Sequence, residues 1–158
     1  MSWSVASGLE GKGVIVTGAA GGIGLATAQA FAESGARVFV VDLDPEKSEA
    51  VAMDLPGEGH EWAGVDLADL NNQKDLVQRA SEAFGGVHTL AHLAAVLRRR
   101  DSLAEVTEED WDLQVDVNLK ASFFLCRAVA DSMIEKQVNG RIVLFSSQGW
   151  WTGGFGGS

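Results

Sequence analysis

The sequence of 158 residues has no tyrosine, a single cysteine and two prolines, and it is short of basic residues. A single cysteine cannot form a disulfide within the chain, which suits a reducing compartment. The 12 lysines and arginines are outnumbered by 22 acidic residues, so the formal net charge is −10. Such a chain is a poor match to the phosphate backbone of a nucleic acid or to an anionic membrane surface.

Signals for export or membrane insertion are also missing from the sequence. The N-terminus has no basic region followed by an apolar core, and no uncharged apolar run approaches the roughly 20 residues that cross a bilayer. We therefore expect a cytoplasmic protein with no nucleic acid or membrane partner. Hydrophobic residues make up 46% of the chain, enough for one globular core, so we expect a single domain over residues 1–158.

Short apolar runs alternate with longer amphipathic ones along the chain. The runs predict strands over residues 13–17, 37–41, 61–65, 87–95 and 141–146, and helices over residues 22–34, 45–53, 69–84 and 107–136. Thr107 is placed to cap the last helix, with Asp110 three residues later as an approximate capping box. Strict β-α alternation predicts an α/β fold, a Rossmann-like doubly wound parallel sheet with its crossover helices.

A glycine-rich turn follows the first predicted strand. It reads Thr17-Gly18-Ala19-Ala20-Gly21-Gly22-Ile23-Gly24 and opens the first helix. A pyrophosphate needs backbone N–H groups and the positive end of a helix, with no side chains in its way. Gly18 would permit the tight turn, Gly22 the approach of the ligand and Gly24 close packing of helix on strand. A plain connecting turn is the alternative, but the strand–turn–helix context favours dinucleotide binding.

Asp42 ends the second predicted strand, 24 residues after Gly18. A carboxylate there can accept hydrogen bonds from both hydroxyls of the adenosine ribose, and it would repel a 2′-phosphate. The next residues, Leu43 and Asp44, offer no compensating positive charge. Asp42 therefore predicts NAD rather than NADP as cofactor. The alternative is that Asp42 only solvates the end of a strand.

At this point the sequence resembles the short-chain dehydrogenase/reductase family, as the N-terminal part of a member of the classical type. Thr-Gly-x-x-x-Gly-Ile-Gly at residues 17–24 is that family's form of the glycine fingerprint. The resemblance continues in register: Asp66-Leu67 matches the pair beside the adenine ring, and Asn118 matches the catalytic asparagine. Gly140-Arg141-Ile142-Val143 followed by Ser146-Ser147 matches the fifth strand and its catalytic serine, for which Ser147 is the better candidate.

The resemblance implies a reversible hydride transfer between nicotinamide and an alcohol or ketone. Ser147 would hydrogen-bond the substrate oxygen, and Asn118 would hold a water of the proton relay and fix the local helix geometry. We predict no metal site. The expected cofactor contacts are Gly18, Gly21, Gly22, Ile23, Gly24, Asp42, Leu43, Asp66, Leu67, Ala94 and Ala95.

Two departures from the family pattern matter. His92-Leu93-Ala94-Ala95 stands where the family usually has Asn-Asn-Ala-Gly. His92 either contacts the cofactor site or fills the structural place of the asparagine, and the second interpretation is favoured. The family's Tyr-x-x-x-Lys would fall just beyond residue 158. We therefore expect the first part of a longer chain, truncated before the helix that carries the proton donor, and we expect these 158 residues alone to be inactive.

Three function classes follow. The leading one is an NAD-dependent alcohol dehydrogenase or ketoreductase; the others are a non-catalytic dinucleotide-binding module and a dehydratase or epimerase of the same fold. The cluster Arg98-Arg99-Arg100 would attract an anionic substrate or lie in a solvated loop, with the loop favoured. Trp150 and Trp151 would wall an apolar substrate pocket, or pack against a C-terminal part of the protein or a partner subunit. The resemblance also implies a homo-oligomer, a dimer or tetramer, through the helix over residues 107–136.

Overall fold

In the computed structural model, which describes residues 8–149, five strands alternate with helices along the chain. The strands are β1 (Gly13–Thr17), β2 (Arg37–Asp42), β3 (Glu61–Gly64), β4 (Val87–His92) and β5 (Arg141–Leu144). The helices are α1 (Gly22–Glu33), α2 (Pro45–Asp54), α3 (Leu70–Phe84), α4 (Glu108–Val115) and α5 (Ser122–Glu135). A π-helical segment, Asp116–Ala121, joins α4 to α5, and a short 3-10 turn, Leu103–Glu105, precedes α4.

The strands form one parallel sheet in the order β3-β2-β1-β4-β5. The chain first builds outward from β1 to β3 and then crosses back to place β4 on the other side of β1. This change of direction creates a switch point between β1 and β4. Ligands of open α/β sheets bind outside the carboxyl ends of the strands at such a point. The predicted doubly wound parallel sheet is confirmed.

Two hydrophobic layers cover the two faces of the sheet, because successive strand residues point to opposite sides. Val14 and Val16 of β1 pack with Ala28 and Ala32 of α1 on one face. Ile15 of the same strand packs on the other face, in the cluster that includes residues of α3 and α5. All five residues of β1 are buried. Burial on both faces explains why this strand has a continuous apolar sequence.

The predicted helix boundaries hold where local capping chemistry fixes them. The Asp44 side chain accepts hydrogen bonds from the backbone of Glu46 and Lys47 at the start of α2. The Thr107 hydroxyl accepts from the Asp110 backbone while the Asp110 carboxylate accepts from the Thr107 backbone, which completes the predicted capping box. At the other end of α3, Gly85 adopts a left-handed conformation with φ 72°.

Three predicted elements differ from the structure by two residues or more. The fifth strand was expected over residues 141–146 and ends at Leu144, because Leu144 pairs with His92, the last residue of β4. The fourth strand was expected to reach Ala95 and ends at His92, because the N–H groups of Leu93 and Ala94 turn to the Thr17 hydroxyl. The helix expected over residues 107–136 is not one regular α-helix, since the π-helical segment interrupts it. A π segment adds a residue to a turn without ending the helix, so a hydrophobic period read from sequence does not reveal it.

The edge of the sheet at β5 is open to solvent. Val143, Leu144 and Phe145 are 43%, 58% and 48% exposed, and on the neighbouring helical segment Leu119 and Phe123 are 66% and 62% exposed. These residues form an uncovered edge of the sheet and an uncovered helix face beside it. Between residues 8 and 149, no helix is long and apolar enough to cross a membrane.

Candidate functional site

The glycine-rich turn lies at the switch point, between the end of β1 and the start of α1. Gly18 has φ 67°, and a β-carbon there would come within 2.9 Å of the Ala94 backbone nitrogen. A β-carbon on Gly24 would overlap the Gly18 carbonyl oxygen. Backbone packing therefore requires both glycines. Gly18 lets the turn lie against the backbone that follows β4, and Gly24 lets α1 lie against that turn.

The N-terminus of α1 is open. Its N-cap residue, Gly21, provides no side-chain hydrogen bond, whereas α2, α3 and α4 are each capped by a side chain. The positions of β-carbons on Gly21 and Gly22 meet no atom within 4 Å, and Gly22 has φ 55°. First-turn N–H groups with free space before them suit a phosphate. Ile23 is 71% exposed beside this space.

The Asp42 carboxylate is attached to the glycine-rich turn. Its Oδ2 atom accepts a hydrogen bond of 2.9 Å from the Ala20 backbone N–H, and its Oδ1 atom accepts one of 2.8 Å from the Leu43 N–H. The Leu43 side chain is 70% exposed. Each carboxylate oxygen retains further lone-pair capacity. The structure thus brings together the turn and the acidic residue that the sequence paired at a distance of 24 positions.

Asp66 and Leu67 follow β3 at the same edge of the sheet. Asp66 is exposed, and its Oδ1 atom accepts from the Ala68 N–H at 2.9 Å. Leu67 is 7% exposed and packs in the core, so any cofactor contact from it would come from its backbone. Its carbonyl oxygen accepts a 2.7 Å hydrogen bond from Nε2 of Gln73, which also donates to the Ala121 carbonyl at 3.1 Å. Buried Gln73 thereby ties this loop to the π-helical segment.

A chain of hydrogen bonds crosses the carboxyl ends of β1 and β4. Thr17 Oγ1 lies 2.7 Å from Nδ1 of His92, and Nε2 of His92 lies 2.8 Å from Ser122 Oγ. The Ser122 hydroxyl donates to the Asn118 carbonyl at 2.7 Å. Burial lowers the pKa of His92, which is 5% exposed. His92 therefore lies between the end of β1 and the start of α5, in contact with both.

Asn118 lies in the π-helical segment and holds the loop that follows β4. Its Oδ1 atom accepts from the Val96 N–H and its Nδ2 atom donates to the Val96 carbonyl, both at 2.8 Å. The side-chain amide is thus used in a paired contact with backbone, and the backbone carbonyl is used by Ser122. The Asn118 side chain thus fixes the loop after β4 to the π-helical segment.

Ser147 lies beyond the end of β5, exposed, with its hydroxyl accepting a hydrogen bond from the Gly149 N–H at 3.2 Å. β5 pairs with β4, and its last residue, Leu144, is aligned with His92. Ser147 therefore comes three residues after the position that neighbours His92. No hydrogen bond joins Ser147 to Asn118 within residues 8–149. Trp150 and Trp151 lie outside the described residues, so the alternatives for them stay as predictions.

A cavity of about 370 Å³ opens between the ends of β4 and β5 and the helical segment. His92, Asn118 and Ser122 provide its polar lining. Its other lining residues are chiefly apolar: Leu93, Ala94, Leu119, Phe123, Cys126, Leu144 and Phe145. Ala95, which follows the lining residue Ala94 in the sequence, is exposed. Burial raises the pKa of the Cys126 thiol.

The basic cluster after β4 is used inside the protein. Arg100 makes two hydrogen bonds, of 2.7 and 2.8 Å, to the Asp110 carboxylate, which is 1% exposed. Arg98 contacts the same carboxylate at 3.3 Å and Glu109 at 3.2 Å. Arg99 is exposed. The sequence offered a substrate contact or a solvated loop, and the structure gives two of the three arginines a partner on α4 instead.

Sequence reasoning missed three contributors to this region: Ser122, Gln73 and the role of Asp110 beyond its cap. Ser122 carried a usable signal, since it lies four residues after Asn118, where its hydroxyl reaches the Asn118 carbonyl on a helix. Gln73 and Asp110 carried none. Their partners are 48 and 10 residues away, at Ala121 and Arg100. Such pairs become visible only once the helices have been placed.

The sequence model described as short chain dehydrogenase matches residues 12–157. This chain belongs to the short-chain dehydrogenase/reductase family. It is 38% identical over 142 residues to a D-threitol dehydrogenase of Mycolicibacterium smegmatis, covering 89% of this chain and 54% of that protein. It is 42% identical over 142 residues to a probable galactose dehydrogenase of Rhizobium meliloti, covering 88% and 55%.

Solved structures give the same result. A short chain dehydrogenase from Mycobacterium avium superposes with a TM-score of 0.81 at 35% sequence identity, over 89% of this chain and 54% of that one. A short-chain dehydrogenase/reductase of Brucella melitensis, described as a glucose/ribitol dehydrogenase, superposes with a TM-score of 0.85 at 28% identity, over 94% and 62%. The chain spans 54–55% of the length of the D-threitol dehydrogenase and the probable galactose dehydrogenase.

Proposed function

We propose that this chain binds NAD at the glycine-rich turn and forms the cofactor-binding part of an oxidoreductase that acts on an alcohol or ketone. The observation that carries the proposal is the contact of the Asp42 carboxylate with the Ala20 N–H of the turn, at 2.9 Å. It joins a carboxylate suited to ribose hydroxyls to a turn suited to a pyrophosphate. The named relatives are dehydrogenases, which supports the reaction class.

The residues present fit a dinucleotide. The uncapped start of α1, with open space before Gly21 and Gly22, would take the pyrophosphate on backbone N–H groups. Two exposed apolar side chains lie next to these groups in the sequence: Ile23 follows Gly22, and Leu43 follows Asp42. Asp66 and the backbone of Leu67 would face the adenine, and Ala94 and Ala95 would face the nicotinamide half.

The preference for NAD over NADP rests on charge. A 2′-phosphate would meet the Asp42 carboxylate, and like charges in contact cost several kcal/mol. The nearest lysine along the chain, Lys47, already forms an ion pair of 3.1 Å with Asp44. The region around Asp42 therefore gives a phosphate little to balance its repulsion.

The test is a comparison of dissociation constants for NAD and NADP in the intact chain and in Asp42→Asn. Removing the charge should reduce the ratio of NADP to NAD dissociation constants at least about tenfold, which corresponds to about 1.4 kcal/mol. Asp69→Asn is the matched control, because Asp69 also accepts a backbone N–H, from Asn71 at 2.9 Å, but at the start of α3. An unchanged ratio in Asp42→Asn would refute the assignment of Asp42.

For the chemical step we propose that the Ser147 hydroxyl binds the substrate oxygen and stabilises charge on it. Asn118 would hold a water of the proton relay, while its side-chain amide keeps Val96 in place. The nicotinamide, when bound, supplies or accepts the hydride. A phenol for the proton transfer is not available in these 158 residues, which contain no tyrosine.

The contact of Asp42 with the glycine-rich turn also fits a second candidate function, a dinucleotide-binding module without catalysis. In this reading the glycine-rich turn and Asp42 act as a binding site for NAD, and the cavity beside Asn118 takes no reacting substrate. Turnover separates the two candidates: an enzyme reduces or oxidises a substrate when its proton donor is present, and a binding module does not.

We further propose a small-molecule alcohol or ketone as substrate and a homo-oligomer as the working form. The exposed Phe123 and Leu119 on the helical segment over residues 107–136 support an interface there. A cytoplasmic location stays a prediction, which the single cysteine suits. Sedimentation of the purified chain tests the oligomer, since a monomer at all concentrations would contradict it.

A further inference from the structure

His92 lies at the junction of the two halves of the site. Its ring contacts Thr17, the residue directly before the glycine-rich turn, and Ser122, the first residue of α5. Ser122 in turn contacts the carbonyl of Asn118. A single ring therefore joins the strand under the candidate phosphate site to the segment that carries the candidate asparagine.

The number of available protons fixes the direction of each hydrogen bond. The Ser122 hydroxyl has one proton, which it donates to the Asn118 carbonyl, so it can only accept from His92. Thr17 Oγ1 accepts from the N–H groups of both Leu93 and Ala94, at 3.1 Å each, so its lone pairs are in use and its proton is left for His92. His92 must then carry its proton on Nε2 and accept at Nδ1.

The other protonation states break this chain. With its proton on Nδ1, the ring would present a third donor to Thr17 and an acceptor to a serine without a spare proton. A doubly protonated ring would also present the third donor to Thr17. Neutral His92 with the Nε2 proton satisfies Thr17, Ser122 and the Asn118 carbonyl at the same time.

We propose that His92 is a positioning residue, whose neutral ring orders Ser122 and through it holds Asn118 and the loop after β4 at the candidate site. The consequence lies at Val96, because the two hydrogen bonds from the Asn118 amide hold that residue. The inference rests on the proposed function for the meaning of Asn118, whereas the hydrogen-bond chain itself is independent of NAD.

The surroundings of His92 support a persistent neutral ring. β1 presents Thr17, β5 pairs Leu144 with His92, and α5 presents Ser122 and Cys126 around the shared cavity. The thiol is the one other titratable group lining that cavity within the described residues, and burial raises its pKa. Burial also lowers the pKa of His92. The His92 ring should therefore still be neutral when the pH falls to the ordinary histidine pKa of about 6.5.

The experiment is nitrogen-15 NMR of the histidine rings in the intact chain over a pH series, combined with amide exchange at Val96. The proposal requires His92 with its proton on Nε2. It also requires the protection of the Val96 amide, taken relative to the intrinsic exchange rate at each pH, to fall as His92 becomes protonated. Ser122→Ala should shift the His92 Nε2 signal and speed Val96 exchange about fivefold or more, the size expected for one lost hydrogen bond. Ser122→Thr keeps a hydroxyl and should restore both signals.

Ser34→Ala is the matched control, since the Ser34 hydroxyl also donates to the carbonyl four residues earlier, at Ala30, and Ser34 lies at the C-terminal end of α1. It should leave the His92 and Val96 signals unchanged. A proton on Nδ1, or a Ser122→Ala variant with the Val96 exchange of the control, would overturn the proposal. If Ser122→Ala does not fold, the tautomer of the unmodified chain still decides. Because no readout uses NAD, failure here and failure to bind NAD are separate results.

Discussion

Gly24 faces the carbonyl oxygen of Gly18 so closely that a β-carbon at residue 24 would overlap that oxygen. Through this contact the first turn of α1 packs against the glycine-rich turn, and the direction of the helix N-terminus is fixed. The family fingerprint at residues 17–24 thus has a packing requirement in addition to a ligand requirement. The two requirements fall on different glycines, and they can be separated by substitution.

Gly24→Ala should lower the free energy of unfolding by roughly 1–3 kcal/mol, the usual cost of adding a methyl group to a well-packed site. Gly21→Ala is the control. A β-carbon there meets no atom within 4 Å, and the extended backbone of Gly21, with φ −177°, suits any residue. Its stability should stay within about 0.5 kcal/mol of the parent. Chemical denaturation measures both, and equal stabilities would show that the Gly24 contact is not tight.

Asp110→Asn should destabilise the chain at neutral pH, because it leaves Arg100 and Arg98 without their shared carboxylate. The Arg100 guanidinium holds the pKa of Asp110 well below its ordinary range. Above the unfolded-state pKa of about 3.9 this contribution is fully present. As the pH falls below it, the unfolded state takes up a proton before the folded state does, so the contribution is lost.

Thermal unfolding over a pH series measures the effect. The difference in melting temperature between parent and Asp110→Asn should shrink as the pH falls from 7 towards 2. Asp112→Asn, on the exposed side of the same helix, should show little difference at any pH. A difference that is constant with pH would mean that the carboxylate charge of Asp110 is not what stabilises the loop.

The purified 158-residue chain should not form NADH from NAD and an alcohol, because none of its residues is a tyrosine that could accept the proton. Absorbance of NADH, followed with a panel of sugar alcohols and secondary alcohols, measures this. Substrate-dependent NADH formation by the chain alone would contradict the expectation and would point to a proton acceptor other than a phenol.

The fold was largely predictable because local signals and the global pattern agree. Buried β1 is apolar up to Val16, Asp44 and Thr107 cap their helices, and Gly85 ends α3. The end of β4 was not predictable, because it depends on a Thr17 hydroxyl 76 residues away from Leu93. The π-helical segment was missed for a related reason, since one extra residue in a turn leaves the apolar pattern almost unchanged.

The candidate site was predictable to the extent that a motif carries it. Gly18, Gly24 and Asp42 were singled out from sequence, and the structure brings them to one turn. The partners that hold the site, such as Ser122 and Gln73, belong to no motif and were found only through their contacts. Their effect depends on geometry between distant segments, which sequence spacing does not encode.

The most direct test of the account is titration of the isotope-labelled 158-residue chain with NAD, followed by NMR of its backbone amides. Saturable shifts are expected at Gly21, Gly22 and Ile23 and around Asp42. Binding should be weaker in Gly22→Ala, because a methyl group would enter the open space before α1 and alanine is strained at the φ of 55°. Amides on the outer face of α3 and α5 should not move. The absence of any saturable shift in a folded chain would contradict the proposal that this turn binds NAD.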